Sequence, residues 1–482
     1  MADYFAIRNS QFAFSSQAVL PDRCEKIGTY HQEVCCNMTS SKPLKLLFVI
    51  PYVPNPVRVR PFQFIRALIQ RGHEITLATL PVGDEEQADI FQLQKLGVRI
   101  IAQPMPVWLS LFNSVVALPS GIPLQAVYSR HPLLVRRLDK ELRFTTFDAV
   151  HVEHLRGSHY AQHLRQKMDV RNVPVIWDSV DSISHLFEQA AQNSLSWRGK
   201  LMTRLELNRT RRYEGMLVHQ FDRTIVTSPI DKSALEEISS TYYAPSAGSK
   251  AAPIEVIPNG VDLESFGYVN GAHRKAARIV FSGKMSYHAN VTAAVHLVRD
   301  IMPAVWAERP DAEVWIVGKD PAPEIRLLET ADVNTAHKGQ RAVVVTGTVP
   351  DVNAFLQEAT VAVAPLRYGA GIQNKVLEAM ACGAPVVATR KATAALLAKP
   401  GQDLLVTETD SEFSQSILEL LENPAQRAEL GRRGRQFVEQ NHTWSGAACR
   451  LEEIYRTARN NGSPVETNKE PNQKRPQPVL EH

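Results

Sequence analysis

Between Ala364 and Ala388 the chain passes from a short apolar segment ending at Pro365, through a loop holding Gly369 and Gly371, into a helix-forming stretch that starts near Ile372. At such a junction free backbone N–H groups and the positive end of a helix dipole face outward, which suits an anion the size of a diphosphate. Gly369 and Gly371 allow a ligand close to the backbone, and Lys375, in the first helical turn, adds charge. Glu378 follows Asn374 by four residues on the same helix face, where an ionised carboxylate can accept two hydroxyl hydrogen bonds from a ribose. The alternative is a surface helix with a solvated glutamate.

Other strand ends carry side chains that belong to the same kind of chemistry. Arg278 to Ser282 reads as a strand that ends at Gly283, and Lys284 follows in the loop, either as an anion contact or as a solvated charge. Asn290 is placed to cap the next helix. Val343 to Thr346 ends at Gly347-Thr348-Val349, a strand-to-helix turn. Phe147 to Val152 ends at Glu153-His154, where alternation through Val150 and Val152 leaves one side open. Arg58 and Arg60 lie in a proline-rich loop after the first strand, either as phosphate or acceptor contacts or as exposed charges.

The elements that must position these residues repeat as strand, loop and helix. Strands are expected at Leu44–Ile50, Glu74–Thr79, Val98–Ile101, Phe147–Val152, Val173–Trp177, Arg223–Thr227 and Ile254–Ile257, with helix-length segments between them. The alternation restarts with Ala277–Ser282, Glu313–Val317, Ala342–Thr346, Val361–Ala364 and Pro385–Ala388. Such units specify parallel sheets with helices on both faces, and hence two Rossmann-like, doubly wound α/β domains across a cleft at the carboxyl ends of their strands. Residues 44–265 form the expected first domain and 266–440 the second. Residues 441–459 are expected as a helix returning to the first domain, with disordered extensions at 1–43 and 460–482.

Bulk properties narrow the function classes. A chain of 482 residues is long enough for two domains, and 44% hydrophobic with 22% charged residues is an ordinary globular balance. A net charge of +4 is far short of what a nucleic-acid binder needs, so no nucleic-acid partner is expected. Five cysteines without paired C-x-x-C spacing point to a reducing, cytoplasmic compartment and no structural zinc. No signal peptide and no membrane span are expected. The proline-broken stretch Ile100 to Leu124 reads as a buried, irregular connection. The basic run Arg198, Lys200, Arg204, Arg209, Arg211 and Arg212 is either a solvated helix face or a peripheral contact with the inner membrane surface or a lipid diphosphate. G-x-G-x-x-G is absent from the first turn, which weighs against a dehydrogenase.

The run Gly-x-Gly-x-x-x-Lys-Val-Leu-Glu-Ala-Met-Ala-x-Gly-x-Pro-Val-Val-Ala at 369–388, with Val256-Ile257-Pro258-Asn259-Gly260-Val261-Asp262, resembles the GT-B-fold retaining glycosyltransferases of the large glycosyl transferases group 1 family. That family includes sucrose synthase and the phosphatidylinositol mannosyltransferases. The resemblance covers about residues 44–458 and is more specific in the second domain. It implies that Glu378 binds the donor ribose, that Ala370, Gly371, Ile372 and Gln373 hold the donor phosphates and sugar with Lys375, and that backbone near Val349 faces the base. It implies, too, that Gly283 and Lys284 meet the donor diphosphate, whose departure the Lys284 charge assists. Glu153 and His154 stand near the place where relatives carry a histidine beside the reacting sugar.

Two departures are visible: Ala370 replaces a glutamate common in relatives, and the loop after the first strand lacks their Gly-Gly pair. The expectation is a metal-independent, retaining hexosyl transfer from a nucleotide-sugar co-substrate, without a resident cofactor, to a polysaccharide, lipid-linked saccharide or other cell-envelope glycan. Exopolysaccharide biosynthesis is one such setting. The alternatives are a catalytically degenerate nucleotide-sugar-binding or scaffold protein, and a GT-B epimerase or phosphorylase.

Overall fold

A computed structural model of the chain describes residues 42–460 apart from 57, 169–171, 194–196, 243–251, 271–273, 275–276, 330–341 and 369–370. Almost all of the two terminal extensions, and most of the linker after Tyr242, therefore lie outside the described residues.

Seven parallel strands make the first sheet: β1 (Lys45–Ile50), β2 (Glu74–Thr79), β3 (Arg99–Ala102), β4 (Ala149–Glu153), β5 (Val175–Val180), β6 (Arg223–Val226) and β7 (Ile254–Val256). Six make the second: β8 (Arg278–Ser282), β9 (Glu313–Val317), β10 (Val343–Gly347), β11 (Val361–Ala364), β12 (Val386–Thr389) and β13 (Leu405–Thr407). Their orders are β3-β2-β1-β4-β5-β6-β7 and β10-β9-β8-β11-β12-β13. The strands read as apolar runs because helices cover both faces; in β1 only Lys45 is exposed and the next five residues are buried. In both sheets the strand order reverses after the third strand, so that β4 joins β1 and β11 joins β8, and each reversal opens a crevice at the carboxyl edge. Strand β13 escapes the sequence reading because three residues show no period.

The chain crosses between domains twice at one place. Val261 N donates to His442 O at 2.8 Å, and the His442 ring meets Asn259 O at 2.9 Å. A Cβ on Gly260 would stand 2.6 Å from Trp444 N, so the two crossings are in backbone contact. The final helix, Trp444–Asn460, then packs Trp444, Ala448, Leu451 and Tyr455 against Phe48, Ile50, Phe64 and Leu68 of the first domain.

Three expectations are corrected. Ile100 to Leu124 is not a buried connection: it contains the helix Val107–Ala117, of which only Ser110 and Ala117 are buried. Arg58 and Arg60 are neither exposed nor turned to a ligand. Arg58 is spent on Glu86 Oε1 and Val53 O, both at 2.8 Å, while Arg60 is buried on Asp178, Ile257 O and Asn259 Oδ1. Asn290 does not cap its helix, His288–His296, but lies inside it and reaches toward the second sheet.

Candidate donor site in the interdomain cleft

The carboxyl ends of β8 and β11 flank the second crevice, and the backbone there is unusually close. Gly283 (φ +149°) and Gly318 (φ +147°) follow β8 and β9, and a Cβ on Gly318 would lie 1.7 Å from Gly283 O. Only glycine fits. Gly318→Ala is expected to part these strand ends, lowering both the melting temperature and the affinity for nucleoside diphosphates. A variant that melts and binds like the parent would show that the contact is dispensable.

This approach sets Lys284 at the crevice and lets Asn290 act as a bridge. Asn290 Nδ2 donates to Lys284 O at 2.9 Å, and Asn290 Oδ1 accepts from Lys375 Nζ across the reversal point. Lys375 Nζ also lies 4.7 Å from the centre of the Phe281 ring. Lys319, buried after Gly318, joins the group. Burial pushes its ammonium down, and the charge of Lys284 acts in the same direction. Three lysines, two from loops and one from the first turn of a helix, thus converge on one crevice. Lys319 was missed in sequence because a lysine after a strand carries no motif of its own.

The helix Asn374–Ala381 opens at the same crevice, preceded by the half-buried Ile372 and Gln373. Lys375 and Glu378 keep part of their surface open, yet the surrounding protein displaces both from their ordinary values. Burial brings the Lys375 ammonium down to about 7, opposed by Glu378, and brings the Glu378 carboxyl up to about 7, opposed by Lys375. Asn374 Oδ1 is buried without a hydrogen-bond partner. A charged pair held short of full solvation beside an unsatisfied oxygen is a site whose polar groups are completed by a ligand. Val349 is a core residue of the second domain, so only its backbone can face a base. Ala370 lies outside the described residues.

The first domain presents its own crevice to this one. Glu153 ends β4 in register with Asp178 of β5, and His154 follows at φ +65°. Both side chains are buried, and the His154 carbonyl accepts from Trp177 Nε1 at 3.4 Å, so the two residues lie beneath the cleft floor. Asp181 stands at the surface instead. It follows Val180 (φ +69°), and its Oδ1 accepts from Thr227 Oγ1 at 3.0 Å. The same Oδ1 lies 2.8 Å from the point where Gly371 would carry a Cβ. A first-domain carboxylate therefore closes on the glycine loop of the second domain. The signal for it was the Asp178-Ser179-Val180-Asp181 strand end, which sequence reading passed over.

Comparison with known proteins agrees with this geometry. Residues 57–265 match the family model Glycosyltransferase Family 4, and residues 276–423 match Glycosyl transferases group 1. A GDP-mannose-dependent monoacylated alpha-(1-6)-phosphatidylinositol monomannoside mannosyltransferase from Corynebacterium glutamicum is 30% identical over 42% of this chain and 55% of its own length. A phosphatidyl-myo-inositol mannosyltransferase from Mycolicibacterium smegmatis is 26% identical over 49% of this chain and 60% of its own. The chain thus spans little more than half the length of these curated relatives. Among solved structures, sucrose-phosphate synthase from Thermosynechococcus elongatus superposes with a TM-score of 0.59 at 19% identity, over 86% of this chain and 98% of that one. Anabaena HepE, solved with UDP and glucose, gives 0.56 at 13% identity over 86% and 100%. Two consecutive family models, one on each domain, and the GT-B arrangement of two facing parallel sheets make the chain similar to the glycosyltransferases of Family 4 in its first domain and of group 1 in its second.

Proposed function

We propose that the chain transfers a sugar from a nucleotide-sugar donor to a lipid-linked saccharide or related envelope glycan, retaining the anomeric configuration and working peripherally at the cytoplasmic face of a membrane. One observation carries the reading: Lys284, Lys319, Lys375 and a helix N-terminus converge with Glu378 at the crevice where the second sheet reverses. Glu378 suits the ribose, and the three ammonium groups suit a diphosphate. Negative charge grows on that diphosphate as the glycosidic bond breaks, and cations already in place stabilise it without a metal ion. Asp181, reaching Gly371 from the other domain, is placed to hold a hydroxyl of the transferred sugar or of the acceptor. Two of the relatives are phosphatidylinositol or phosphatidylinositol-mannoside mannosyltransferases, one of them GDP-mannose-dependent, which favours mannose and a lipid-borne acceptor.

A thermal-shift screen tests the donor site. A nucleotide sugar at about 100 times its Kd stabilises the native state by about 2.7 kcal/mol, so at least one of the UDP-, GDP-, ADP- and dTDP-sugars is expected to raise the melting temperature by several degrees. A flat response to all of them defeats the assignment. Slow hydrolysis of the stabilising donor without acceptor separates an enzyme from a binding scaffold.

A further inference from the structure

The helix Val107–Ala117 is built inside out. No residue from Ile100 to Ser129 is charged. Val107, Trp108, Leu111, Phe112, Val115 and Val116 are 57% to 67% exposed, and their spacing of one, then three, then one, repeated, gathers them on one side of the helix. The side turned to the protein carries one large apolar residue, Leu109, against the core and is otherwise polar or small: Ser110 and Ala117 are buried, Asn113 Nδ2 donates to Arg130 O at 2.9 Å, and Ser114 Oγ donates to Ser110 O at 2.8 Å. A helix stabilised by its own domain shows the reverse pattern. Six adjoining apolar side chains also exceed the scattered exposure that an ordinary soluble surface carries.

The surroundings identify what covers this face. Apart from the Trp108 indole, none of its side chains can make a hydrogen bond, so it offers hydrocarbon and one aromatic of the kind that settles at a lipid–water boundary. Its cations lie mainly on one flank: Arg137 bonds the Ala102 carbonyl, where β3 ends, whereas at the other end Arg209 donates to Leu118 O at 2.6 Å and is paired with Glu206 at 3.0 Å. The helix Pro132–Phe144 exposes Arg136, Lys140 and Arg143 together with Leu133 and Phe144. An apolar ridge beside an exposed cationic helix complements a bilayer with anionic head groups. No helix among the described residues is long and apolar enough to cross a membrane, so this one lies along the surface.

Its position also serves the cleft. The segment leaves β3 at the carboxyl edge of the sheet, and the Tyr128 ring near its end lies 5.9 Å from the guanidinium of Arg156, two residues after His154. We propose that the helix Val107–Ala117 docks the chain on an anionic bilayer by burying its outer face at the boundary between head groups and acyl chains, which holds the cleft mouth at the lipid surface. The docking stands on the surface itself; the benefit to a lipid-borne acceptor rests on the proposed function.

Flotation with vesicles tests it, using the full chain and the variant Leu111→Gln/Phe112→Gln, which changes only exposed positions. The parent is expected to float with phosphatidylcholine vesicles containing phosphatidylglycerol, more than with phosphatidylcholine alone, and the variant to lose about tenfold or more in affinity. Its melting temperature and its response to nucleoside diphosphate should stay at parental values. A parent that floats with neither vesicle, or a variant that floats equally well, overturns the proposal. A parent that light scattering shows as a dimer and the variant as a monomer, without vesicle binding, assigns the face to a second copy and overturns it as well. Flotation needs neither donor nor turnover, so a chain that floats but never glycosylates a lipid acceptor leaves the docking standing and defeats the acceptor reading.

Discussion

A chain carrying Asp178→Ala is expected to unfold at a much lower urea concentration than the parent, a loss of about 3–5 kcal/mol, because it leaves the Arg60 charge buried without its partner. Arg60 Nε and one terminal nitrogen both sit 2.9 Å from Asp178 Oδ2, and the side chains are 5% and 1% exposed. The same guanidinium donates to Ile257 O and Asn259 Oδ1, each at 3.0 Å, so it ties the helix Val59–Gln70 to β5 and to the interdomain crossing. His151 adjoins the pair, with Nε2 at 3.7 Å from Asp178 Oδ2 and Nδ1 at 3.0 Å from the Tyr455 hydroxyl of the final helix. One network therefore joins the sheet, the crossing and the returning helix. A urea midpoint equal to the parent's would show that the pair adds nothing to the fold.

The same network makes stability depend on pH. Burial holds the His151 imidazole down to about 4, against an ordinary value near 6.5. The unfolded chain then binds a proton that the folded chain refuses between those values, so this group's stabilisation is complete above about 6.5 and is lost as the pH falls toward 4. His151→Phe, stacked in the same place on Phe48, should flatten that part of the curve.

How much of this was legible in the sequence depends on whether a residue acts locally or through a distant contact. The strands were legible because parallel strands covered on both faces must be apolar runs, and Leu46 to Ile50 is one. Glu378 and Lys375 were legible because a strand, a glycine loop and a helix are contiguous in the chain. Asp181 was not, since its meaning comes from Gly371, a partner in the other domain. Asn290 was assigned to a helix start from local preference, whereas its amide is used to join the Lys284 loop to Lys375. Arg60 looked exposed because proline-rich loops usually are, and only the fold brings Asp178 to it. The helix Val107–Ala117 shows the same limit from the other side. Its prolines and apolar content read as a buried connection, and nothing local says that its mostly small and polar side is the one against the protein.

The proposed donor grip gives the last contrast, because in it Glu378 and Lys375 would meet different parts of one ligand. Glu378→Gln keeps the shape and removes the charge, so binding of donor and of nucleoside diphosphate should weaken alike, by about 1.5–3 kcal/mol, with the change in KM and little in kcat. Lys375→Met removes a cation that matters most as the leaving diphosphate gains charge, so kcat should fall by more than donor affinity does. Proton linkage separates Lys375 from its neighbours. Its ammonium is held down to about 7, so at pH 8.5 the empty site carries mostly the neutral amine, and a bound diphosphate must draw a proton onto it. Calorimetry in buffers of different ionisation heat should therefore show proton uptake on binding at pH 8.5, and affinity should rise as the pH falls from about 9 toward 7. Lys375→Met should abolish that uptake, while Glu378→Gln, which removes the carboxylate that helps keep the ammonium charged, should move the onset of the uptake to lower pH. If both variants bind and turn over as the parent does, with the fold intact and no change in proton uptake, the crevice between β8 and β11 is not where the donor sits.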